Sequence, residues 1–555
     1  MTQSRQFRLF LSIAAYILAL FPLVERFRKA FDPNNMVDLS VFQDAAFAVM
    51  HSQPLFGPDF VVHSQSPFVY PPFAALVFLP LSFLPLLPLK FLCLLSFYAV
   101  AILLIWWVLR SYEKTWLLPF VLLAAVYTAP FQTTAELGQI DLLLYGLIVA
   151  DALGLLPRRL RGVGIGIAAA IKMTPAVFGV IFLFRRDWAA AIRSAVTFAI
   201  TVVIGFIFLP ADSKYFWLKL AFDSTRAVAP NYSHDMSIRG LLTKSILNFD
   251  QADAIKSILF VLGFSFAIFL AYRAWRHYDA VLSMLVLFLG LMLFQPVANF
   301  HHWTAGTFVF AMAFSRHYKS WINWGLWVLS LGFTLSWLLP QLFFRIPQAT
   351  YSLDPAAWYI HNILGLCAIV AFILLAIGLM NKKVPVIAAA ALLTACTPSP
   401  GDRILSDNHM HEVVSIPEVN IEVESCILTN SYEVKPGYNK PEEGRYALLD
   451  ARFTSTSETQ SYNPVRYLIG QLIDNNGIPH TQLPLNAVAG NPSVDSEDNL
   501  NPGGTTTMRY VFKLHDDEWP VNILISDQWY DFHAWAKIQI KCTPDPTQPD
   551  HRPDF

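Results

Sequence analysis

Long apolar segments alternate with short polar ones over the first two thirds of the chain. A helix needs about 20 apolar residues to cross a bilayer, and apolar runs recur from residue 9 to residue 379. The clear runs are residues 9–24, 89–109, 116–130, 140–156, 190–209, 255–272, 281–294, 322–339 and 358–380, with a shorter one at 303–314. This pattern predicts a multi-pass α-helical membrane protein of roughly ten to thirteen helices. The first run lacks a small-residue cleavage site, so we expect a retained helix rather than a signal peptide.

Two stretches do not fit simple membrane spans. Residues 72–109 are interrupted by prolines, and residues 162–184 carry basic residues at both ends with Pro175 in the middle. Because proline interrupts helices, we expect broken helices or re-entrant hairpins in both stretches. Irregular backbone at membrane depth is tolerated where it is buried in protein or lines a wet cavity. The breaks therefore predict a substrate cavity.

Lysine and arginine in short loops indicate the cytoplasmic side of a membrane protein. Such residues occur at Arg5 and Arg8 and in the segments 110–114, 158–161, 185–186, 273–276, 316–319 and 382–383. The segments that then face outward are residues 25–70, 138–141, 210–254 and 295–303. We therefore expect a plasma-membrane protein whose loop-rich outer face carries the chemistry.

The last third of the chain has a different periodicity. Short runs alternate apolar and polar residues at 419–427, 446–453, 466–473, 508–514, 521–525 and 534–540, with Gly, Pro and Asn between them. This spacing predicts an all-β, immunoglobulin-like sandwich. We therefore divide the chain into a membrane domain (1–380), a short apolar segment with a linker (381–409) and an extracytoplasmic β domain (410–555).

Composition agrees with two domains in two solvents. The 555 residues are 55% hydrophobic and 14% charged, against about 25% charged in soluble proteins, which excludes a water-soluble enzyme over the whole length. After Cys396 there are 11 Lys and Arg against 23 Asp and Glu, whereas the preceding part has an excess of basic residues. We expect membrane lipid, and no nucleic acid, among the partners.

The cysteines of the tail suggest two kinds of covalent chemistry. Cys426 and Cys542 lie in the first and last predicted strands and are expected to form a disulfide. Cys396 follows two lysines, about ten apolar residues and the sequence Leu-Thr-Ala, which resembles a bacterial lipobox. The alternative is a short last membrane helix with an ordinary cysteine. Trp519, Trp529 and Tyr530 could stack on sugar, although core packing is the simpler use.

Polar side chains at the ends of apolar segments, or inside them, are the candidates for chemistry. Asp38 begins an amphipathic helix in the first outer segment, and Gln139 and Asp141 begin an apolar run. Acidic residues at such positions often only cap helices. Lys172 lies inside an apolar run, where a charge indicates a functional site unless the amine snorkels to the headgroups.

Tyr70, Arg239, His301 and His302 complete the candidate set. Tyr70 precedes two prolines, Arg239 follows a polar outer loop, and the histidines lie at an outer helix mouth. Adjacent histidines do not share a helix face, so they are a poor metal pair. The absence of HExxH, paired CxxC and P-loop patterns disfavours an ATP-driven pump. No cofactor is implied, and a divalent metal is an open option.

Five short motifs occur in order along this part of the chain. They are Asp38-Leu-Ser-Val-Phe, Tyr70-Pro-Pro, Gly138-Gln-Ile-Asp141, Ile171-Lys-Met-Thr-Pro175 and the turn from Pro296 to His301-His302. Together they resemble the GT-C integral-membrane glycosyltransferases of family 87, over about residues 8–380. The sequence departs from the family motifs at two places. Asp141 stands where Asn is commoner, and Val-Ala-Asn-Phe precedes the histidines where Ser-Trp-Asp is frequent. These departures bear on the identity of the sugar and the acceptor more than on the type of reaction.

The resemblance implies a hexosyltransferase, an α-mannosyltransferase that takes its sugar from polyprenyl-phosphate-mannose. Its acceptor would be a cell-envelope glycolipid or lipoglycan on the extracytoplasmic face, and inversion of a β donor would give an α-linkage. The resemblance makes Asp38 the base for the acceptor hydroxyl. It makes Lys172, Arg239, His301 and His302, with Gln139, Asp141 and Tyr70, the donor-phosphate or substrate contacts. GT-C relatives often carry a paired acidic motif in this loop, and Asp38-Leu-Ser lacks the second carboxylate, so an obligatory metal is not expected here.

Other functions are open at this point. The same family includes arabinofuranosyltransferases that use the same kind of lipid carrier. A transporter or flippase for a lipid-linked sugar, with the tail as a binding domain, would favour internal repeats, and we find none between the halves. A non-catalytic scaffold would leave Lys172 and the broken helices unexplained.

Overall fold

The computed structural model describes most of the helical part and the strands of the tail. The described residues are 3–32, 35–56, 60, 67–221, 234–244, 249–314, 318–343, 355–380, 407–416, 419–429, 445–456, 468–474, 479–481, 504–514, 520–527 and 536–544. The lipobox-like segment with Cys396 lies outside this set, as do Trp519, Trp529 and Tyr530. The proposed boundaries at 381 and 410 stay predictions.

Helices form the described structure from the N-terminus to Met380. They are α1 (Gln3–Lys29), α2 (Val37–Met50), α3 (Pro72–Phe78), α4 (Leu86–Ser111), α5 (Leu118–Val126), α6 (Ala129–Leu137), α7 (Asp141–Ala152), α8 (Val163–Ile171), α9 (Val180–Phe184), α10 (Trp188–Phe208), α11 (Pro210–Tyr215), α12 (Ile238–Thr243), α13 (Phe249–Ile258), α14 (Phe264–His277), α15 (Ala280–Phe294), α16 (Val309–Ala313), α17 (Ser320–Phe343), α18 (Pro355–His361) and α19 (Ile363–Met380). Short 3-10 helices lie at Leu79–Phe83, Thr115–Leu117, Thr174–Gly179 and Phe300–Phe308.

Six helices in the described part are long and apolar enough to cross a membrane. They are Leu9–Lys29, Leu86–Ser111, Trp188–Phe208, Ala254–His277, Ser320–Leu342 and Ile363–Met380. A seventh span is formed if α5 and α6, which meet at a bend of 69°, are counted together. The multi-pass helical architecture is thus confirmed, and several predicted runs form shorter or bent helices instead of full spans.

Both stretches that were expected to be broken contain breaks. In the first, the 3-10 helix Leu79–Phe83 follows α3, and Pro85 is extended before α4 begins. In the second, Lys172 ends α8 in an extended conformation, and the 3-10 helix Thr174–Gly179 carries Pro175 in its first turn. Leu84, the residue before Pro85, is extended, as proline favours for its preceding residue. The break at Lys172 lies three residues before Pro175, which begins the next short helix.

Helix α15 lies in the middle of the helical core. All of its residues from Val281 to Leu293 are buried, and Gly290 packs so closely on Ala267 of α14 that a Cβ would lie 2.2 Å from the Cβ of Ala267. A helix that is apolar on every face is stable only when protein or lipid surrounds it. The long helices α1, α4, α10, α14 and α17, unlike α15, expose many large apolar side chains, as expected for lipid-facing surfaces.

The tail folds as two β-sheets. The strands are β1 (Asp407–His409), β2 (Val413–Ile416), β3 (Val419–Thr429), β4 (Arg445–Ser455), β5 (Leu468–Asp474), β6 (Pro479–Thr481), β7 (Thr505–Leu514), β8 (Pro520–Asp527), β9 (Ala536–Gln539) and β10 (Thr543–Pro544). One sheet has the order β1-β9-β8-β5-β6, and the other has the order β10-β3-β4-β7 with β2 paired to β3. Side chains of both sheets share one apolar core, and a disulfide joins Cys426 to Cys542. The all-β sandwich is confirmed.

Candidate active site

The first site element is the start of α2. Met36 adopts a left-handed conformation (φ 60°) before the helix, and its N–H donates to the carbonyl of Glu136 at 2.9 Å. Asp38 therefore lies in the first turn of α2, where a negative charge interacts favourably with the helix dipole. The capping interpretation placed Asp38 at the helix boundary, but the residue at the boundary is Met36.

A tight approach at Gly138 brings the second motif to Asp38. Gly138 ends α6 with φ 73°, and a Cβ there would lie 2.8 Å from the Cβ of Leu39. Only glycine combines this conformation with this contact. The turn directs Gln139 toward α2, and its Nε2 donates to Asp38 Oδ2 at 2.7 Å.

Tyr70 extends this arrangement into a hydrogen-bonded chain. The hydroxyl of Tyr70 donates to Gln139 Oε1 at 2.9 Å, which fixes the amide so that its nitrogen faces the carboxylate. Burial raises the pKa of Asp38 to about 6, and the hydrogen bond from Gln139 opposes that rise. Asp38 is therefore a carboxylate at neutral pH with a higher proton affinity than an exposed aspartate, as a general base requires.

Lys172 and Asp141 form the second pair of the site. Lys172 ends α8, and its Nζ lies 2.7 Å from Asp141 Oδ1 at the start of α7. The ammonium also lies 5.8 Å from the centre of the Tyr70 ring. The snorkelling alternative for Lys172 is therefore wrong, because the amine is directed into the protein toward the other candidates.

The histidines approach Asp141 from the 3-10 helix Phe300–Phe308. His301 Nε2 lies 3.9 Å from Asp141 Oδ2, and the rings of His301 and His302 are 4.2 Å apart. The N–H of Asn299 donates to His302 Nδ1 at 3.1 Å. A neutral His302 therefore carries its proton on Nε2, which makes it a hydrogen-bond donor.

Arg239 lies on a separate element, α12. Its side chain is buried, and Nη1 donates to the carbonyl of Pro296 at 3.3 Å. This contact ties α12 to the turn that leads to the histidines. The structure thus brings seven of the eight predicted residues into one network. The eighth, Arg239, contacts the turn that precedes the histidines of that network.

Two groups of supporting residues were missed by the sequence analysis. Thr134 of α6 donates to the carbonyl of His301 at 3.3 Å and also contacts the hydroxyl of Thr304. On the other side, Asp235 Oδ1 accepts the N–H of Ala298 at 2.8 Å. The polar loop around Asp235 gave a weak signal of its importance, whereas a lone threonine in an apolar helix gives none.

Lys244 connects this loop to α19. Its Nζ donates to the carbonyl of Asp235 and to Asn362 Oδ1, both at 2.6 Å, and burial lowers its pKa to about 7. The indole N–H of Trp358 donates to the carbonyl of Lys244 at 2.8 Å. A continuous set of contacts therefore runs from Asn362 through Lys244 and Asp235 to the turn that holds His302.

Asp141, His301 and His302 offer ligand atoms that lie within 4.8 Å of one another. Asp141 Oδ1 holds the ammonium of Lys172, which places a positive charge beside these atoms. His302 uses Nδ1 as an acceptor, which leaves a protonated Nε2. Asp141 Oδ2 has no hydrogen-bond partner in the described part of the chain, so a divalent metal stays an open option.

Comparisons with known proteins identify the family of this chain. The model of glycosyltransferase family 87 matches residues 68–296. A polyprenol-phosphate-mannose-dependent alpha-(1-2)-phosphatidylinositol pentamannoside mannosyltransferase of Mycolicibacterium smegmatis is 31% identical over 283 residues, which cover 48% of this chain and 67% of that protein. The chain belongs to glycosyltransferase family 87. A phosphatidylinositol mannoside mannosyltransferase of Mycobacterium tuberculosis, also polyprenol-phosphate-mannose-dependent, is 27% identical over 290 residues, with the same coverages.

Five of the candidate residues lie inside the range matched by the family 87 model, and Asp38, His301 and His302 lie outside it. Two solved structures share features of the chain. ArnT from Cupriavidus metallidurans, bound to undecaprenyl phosphate, is 15% identical with a TM-score of 0.36, and the match covers 70% of this chain and 75% of the ArnT chain. A β-sandwich protein from Clostridium difficile is 13% identical with a TM-score of 0.20, and the match covers 26% of this chain and 99% of the sandwich protein.

Proposed function

We propose that this family 87 glycosyltransferase moves mannose from polyprenyl-phosphate-mannose to a cell-envelope glycolipid or lipoglycan. The transfer takes place on the extracytoplasmic face and inverts a β donor to give an α-linkage. The observation that carries the proposal is the hydrogen bond between the predicted base, Asp38, and Gln139. Gln139 is two residues before Asp141 in the sequence, and Asp141 is paired with Lys172, so the base and the cation belong to one site. The mannose and the phosphatidylinositol mannoside acceptors in the names of its relatives support the donor and the acceptor class.

Asp38 is the proton acceptor in this scheme. The acceptor hydroxyl loses its proton to Asp38 as its oxygen bonds to the anomeric carbon of the donor. The amide of Gln139 holds one carboxylate oxygen, which leaves the other for the hydroxyl. A positioned general base contributes about 10²–10⁴-fold to such a reaction.

The bond between the anomeric carbon and the phosphate oxygen breaks in the same step, and its electron pair goes to the lipid phosphate. Cationic and N–H donors stabilise that developing charge. Lys172 and the Nε2–H of His302 supply such donors, and Asp141 compensates the charge of Lys172 before the donor binds. No nucleotide is needed, because the lipid phosphate already activates the sugar.

The direct test is transfer by the purified full-length chain in detergent. Radiolabelled polyprenyl-phosphate-mannose is supplied with a phosphatidylinositol mannoside, and the arabinose donor is supplied in a parallel reaction. We expect label from mannose in an α-linked product, and no product from the Asp38→Asn variant. Label only from the arabinose donor would show that the transferred sugar is arabinose and not mannose. Label in neither product would overturn the transferase, and a flippase, which forms no covalent product, would take its place.

A further inference from the structure

Six arginines gather where α8, α9 and α10 begin or end, on the side that the basic loops assign to the cytoplasm. We define this arginine cluster as Arg158, Arg159, Arg161, Arg185, Arg186 and Arg193. The loop before α8 and the turn before α10 meet here. Arg193 Nε donates to the carbonyl of Arg161 at 2.7 Å, and its Nη2 donates to the carbonyl of Arg158 at 3.1 Å.

The backbone that carries the cluster is held in place by close packing. A Cβ at Gly162 would lie 2.0 Å from the carbonyl oxygen of Ala190, so the start of α8 touches α10 directly. Asp151 Oδ1 accepts the N–H of Gly162 at 2.7 Å, and its Oδ2 accepts the N–H of Ile165 at 2.9 Å. The backbone segments that carry the arginines are therefore held in one arrangement.

Six positive charges of the cluster face only two nearby carboxylates in the described part of the chain. Asp151 accepts the N–H groups of Gly162 and Ile165, Asp187 accepts the N–H of Ala190, and both act electrostatically on Arg185 without a salt bridge to it. Arg161 Nε is buried and has no hydrogen-bond partner in this part of the chain. Burial and the nearby Arg161 also lower the pKa of Arg185. Such a site favours an anion.

The surroundings of the cluster are apolar and open. Leu155, Leu160 and Trp188 are 53%, 50% and 61% exposed, and Ile192 and Val196 continue an exposed apolar face along α10. Tryptophan at the end of a span is typical of the membrane interface. A ligand that fits both surfaces has an anionic head and apolar chains.

We propose that the arginine cluster binds the phosphate headgroup of an anionic phospholipid, whose acyl chains lie along the exposed face of α10. Membrane orientation alone requires basic residues in a loop. It does not require arginines from two loops in one fixed frame with a buried, unpartnered guanidinium nitrogen. Basic pockets between helices are known to bind anionic headgroups.

The test is native mass spectrometry of the full-length chain released from nanodiscs of phosphatidylglycerol and phosphatidylcholine. We expect one phosphatidylglycerol to be retained, and high salt to release it. The variant Arg159→Gln/Arg186→Gln removes two exposed arginines. It should weaken retention about 25-fold, at about fivefold for each basic residue near the membrane surface. The matched control, Arg110→Gln/Lys114→Gln, removes two basic residues from another predicted cytoplasmic loop and should leave retention unchanged.

Three results would overturn the proposal. Equal retention of both lipids would remove the requirement for an anionic head, and equal loss in the control would indicate general surface attraction. Release of the lipid by inorganic phosphate alone would indicate a site for free phosphate. An unchanged melting temperature in lipid-free detergent shows that the variant is folded, and the salt dependence of the unmodified chain tests the proposal without any variant.

Discussion

Asp141 is one of the two departures from the family 87 motifs that the sequence analysis found. One of its carboxylate oxygens holds Lys172 at 2.7 Å, and the other is buried and lies 3.9 Å from His301 Nε2. An asparagine would accept a hydrogen bond from Lys172 without compensating its charge. If Lys172 binds the donor phosphate as proposed, that phosphate would compete with Asp141 for the ammonium, and this position would help to set donor affinity.

Asp38→Asn tests the base directly. The change is isosteric and retains the hydrogen bond with Gln139, so we expect normal expression and a fall in kcat of about 10²–10⁴-fold. Because the pKa of Asp38 is about 6, kcat/KM of the unmodified enzyme should fall as the pH drops below that value and the carboxylate becomes protonated. Asp44→Asn, on the same helix, is the matched control. Near-normal transfer by Asp38→Asn would exclude the base assignment.

Lys172→Met tests the stabilisation of the leaving phosphate. Methionine has a similar length but no charge, and loss of one such donor lowers kcat by about 10²–10³-fold. Asp141→Asn is its counterpart: it keeps Lys172 and frees its charge, so we expect a lower KM for the donor and a smaller change in kcat. Steady-state kinetics with varied donor separate the two effects. Equal losses of kcat in both variants would mean that the ion pair is only structural.

At the scale of elements, the alternation of apolar and polar residues predicted the longer strands and missed the shortest ones. All six predicted β runs became strands, but β1, β2, β6 and β10 have only two to four residues, too few for a recognisable alternation. The helical breaks were predicted because proline marks them in the sequence. The contact between Lys244 and Asn362 joins residues 118 positions apart, and no local pattern contains that information.

Gly138→Ala tests the approach of α6 to α2. A side chain in the left-handed conformation costs about 1–2 kcal/mol, and the new Cβ would lie 2.8 Å from the Cβ of Leu39. We expect a lower melting temperature and a loss of transfer, because Gln139 would move away from Asp38. Gly179→Ala is the control, since nothing lies within 4 Å of its Cβ position. Equal behaviour of the two variants would show that the approach at Gly138 is unimportant.

At the scale of the whole molecule, the chain joins a helical membrane enzyme to a β domain stabilised in a different way. Lipid and protein surround the helices, whereas the β domain has one shared core and a disulfide that closes a long loop. The motifs predicted which site residues would meet because each motif contributes one or two side chains to the same network. They could not predict the supporting contacts, which depend on how distant helices pack.

The disulfide should be the main covalent support of the β domain. Cys426 and Cys542 are 116 residues apart, and closing a loop of that length stabilises a fold by about 5 kcal/mol in the chain-entropy model. We expect the double variant Cys426→Ser/Cys542→Ser to lower the melting temperature of the β domain and to leave mannose transfer intact. Calorimetry and the transfer assay measure the two effects. Free thiols at both positions in a non-reducing peptide map would contradict the pairing.

The segment that ends at Cys396 lies outside the described residues, and its sequence alone carries the last prediction. Lys382 and Lys383 should hold its start in the cytoplasm, and about ten apolar residues are short for a span but suit a lipoprotein signal. We expect cleavage before Cys396 and acylation of the new terminus, with at least two acyl chains needed for stable retention. Blots of a chain tagged at both ends should show two fragments, and catalysis should persist because the helices before Met380 remain whole. A single full-length band, unchanged by Cys396→Ala, would instead make the segment a tether that carries the β domain on the membrane enzyme.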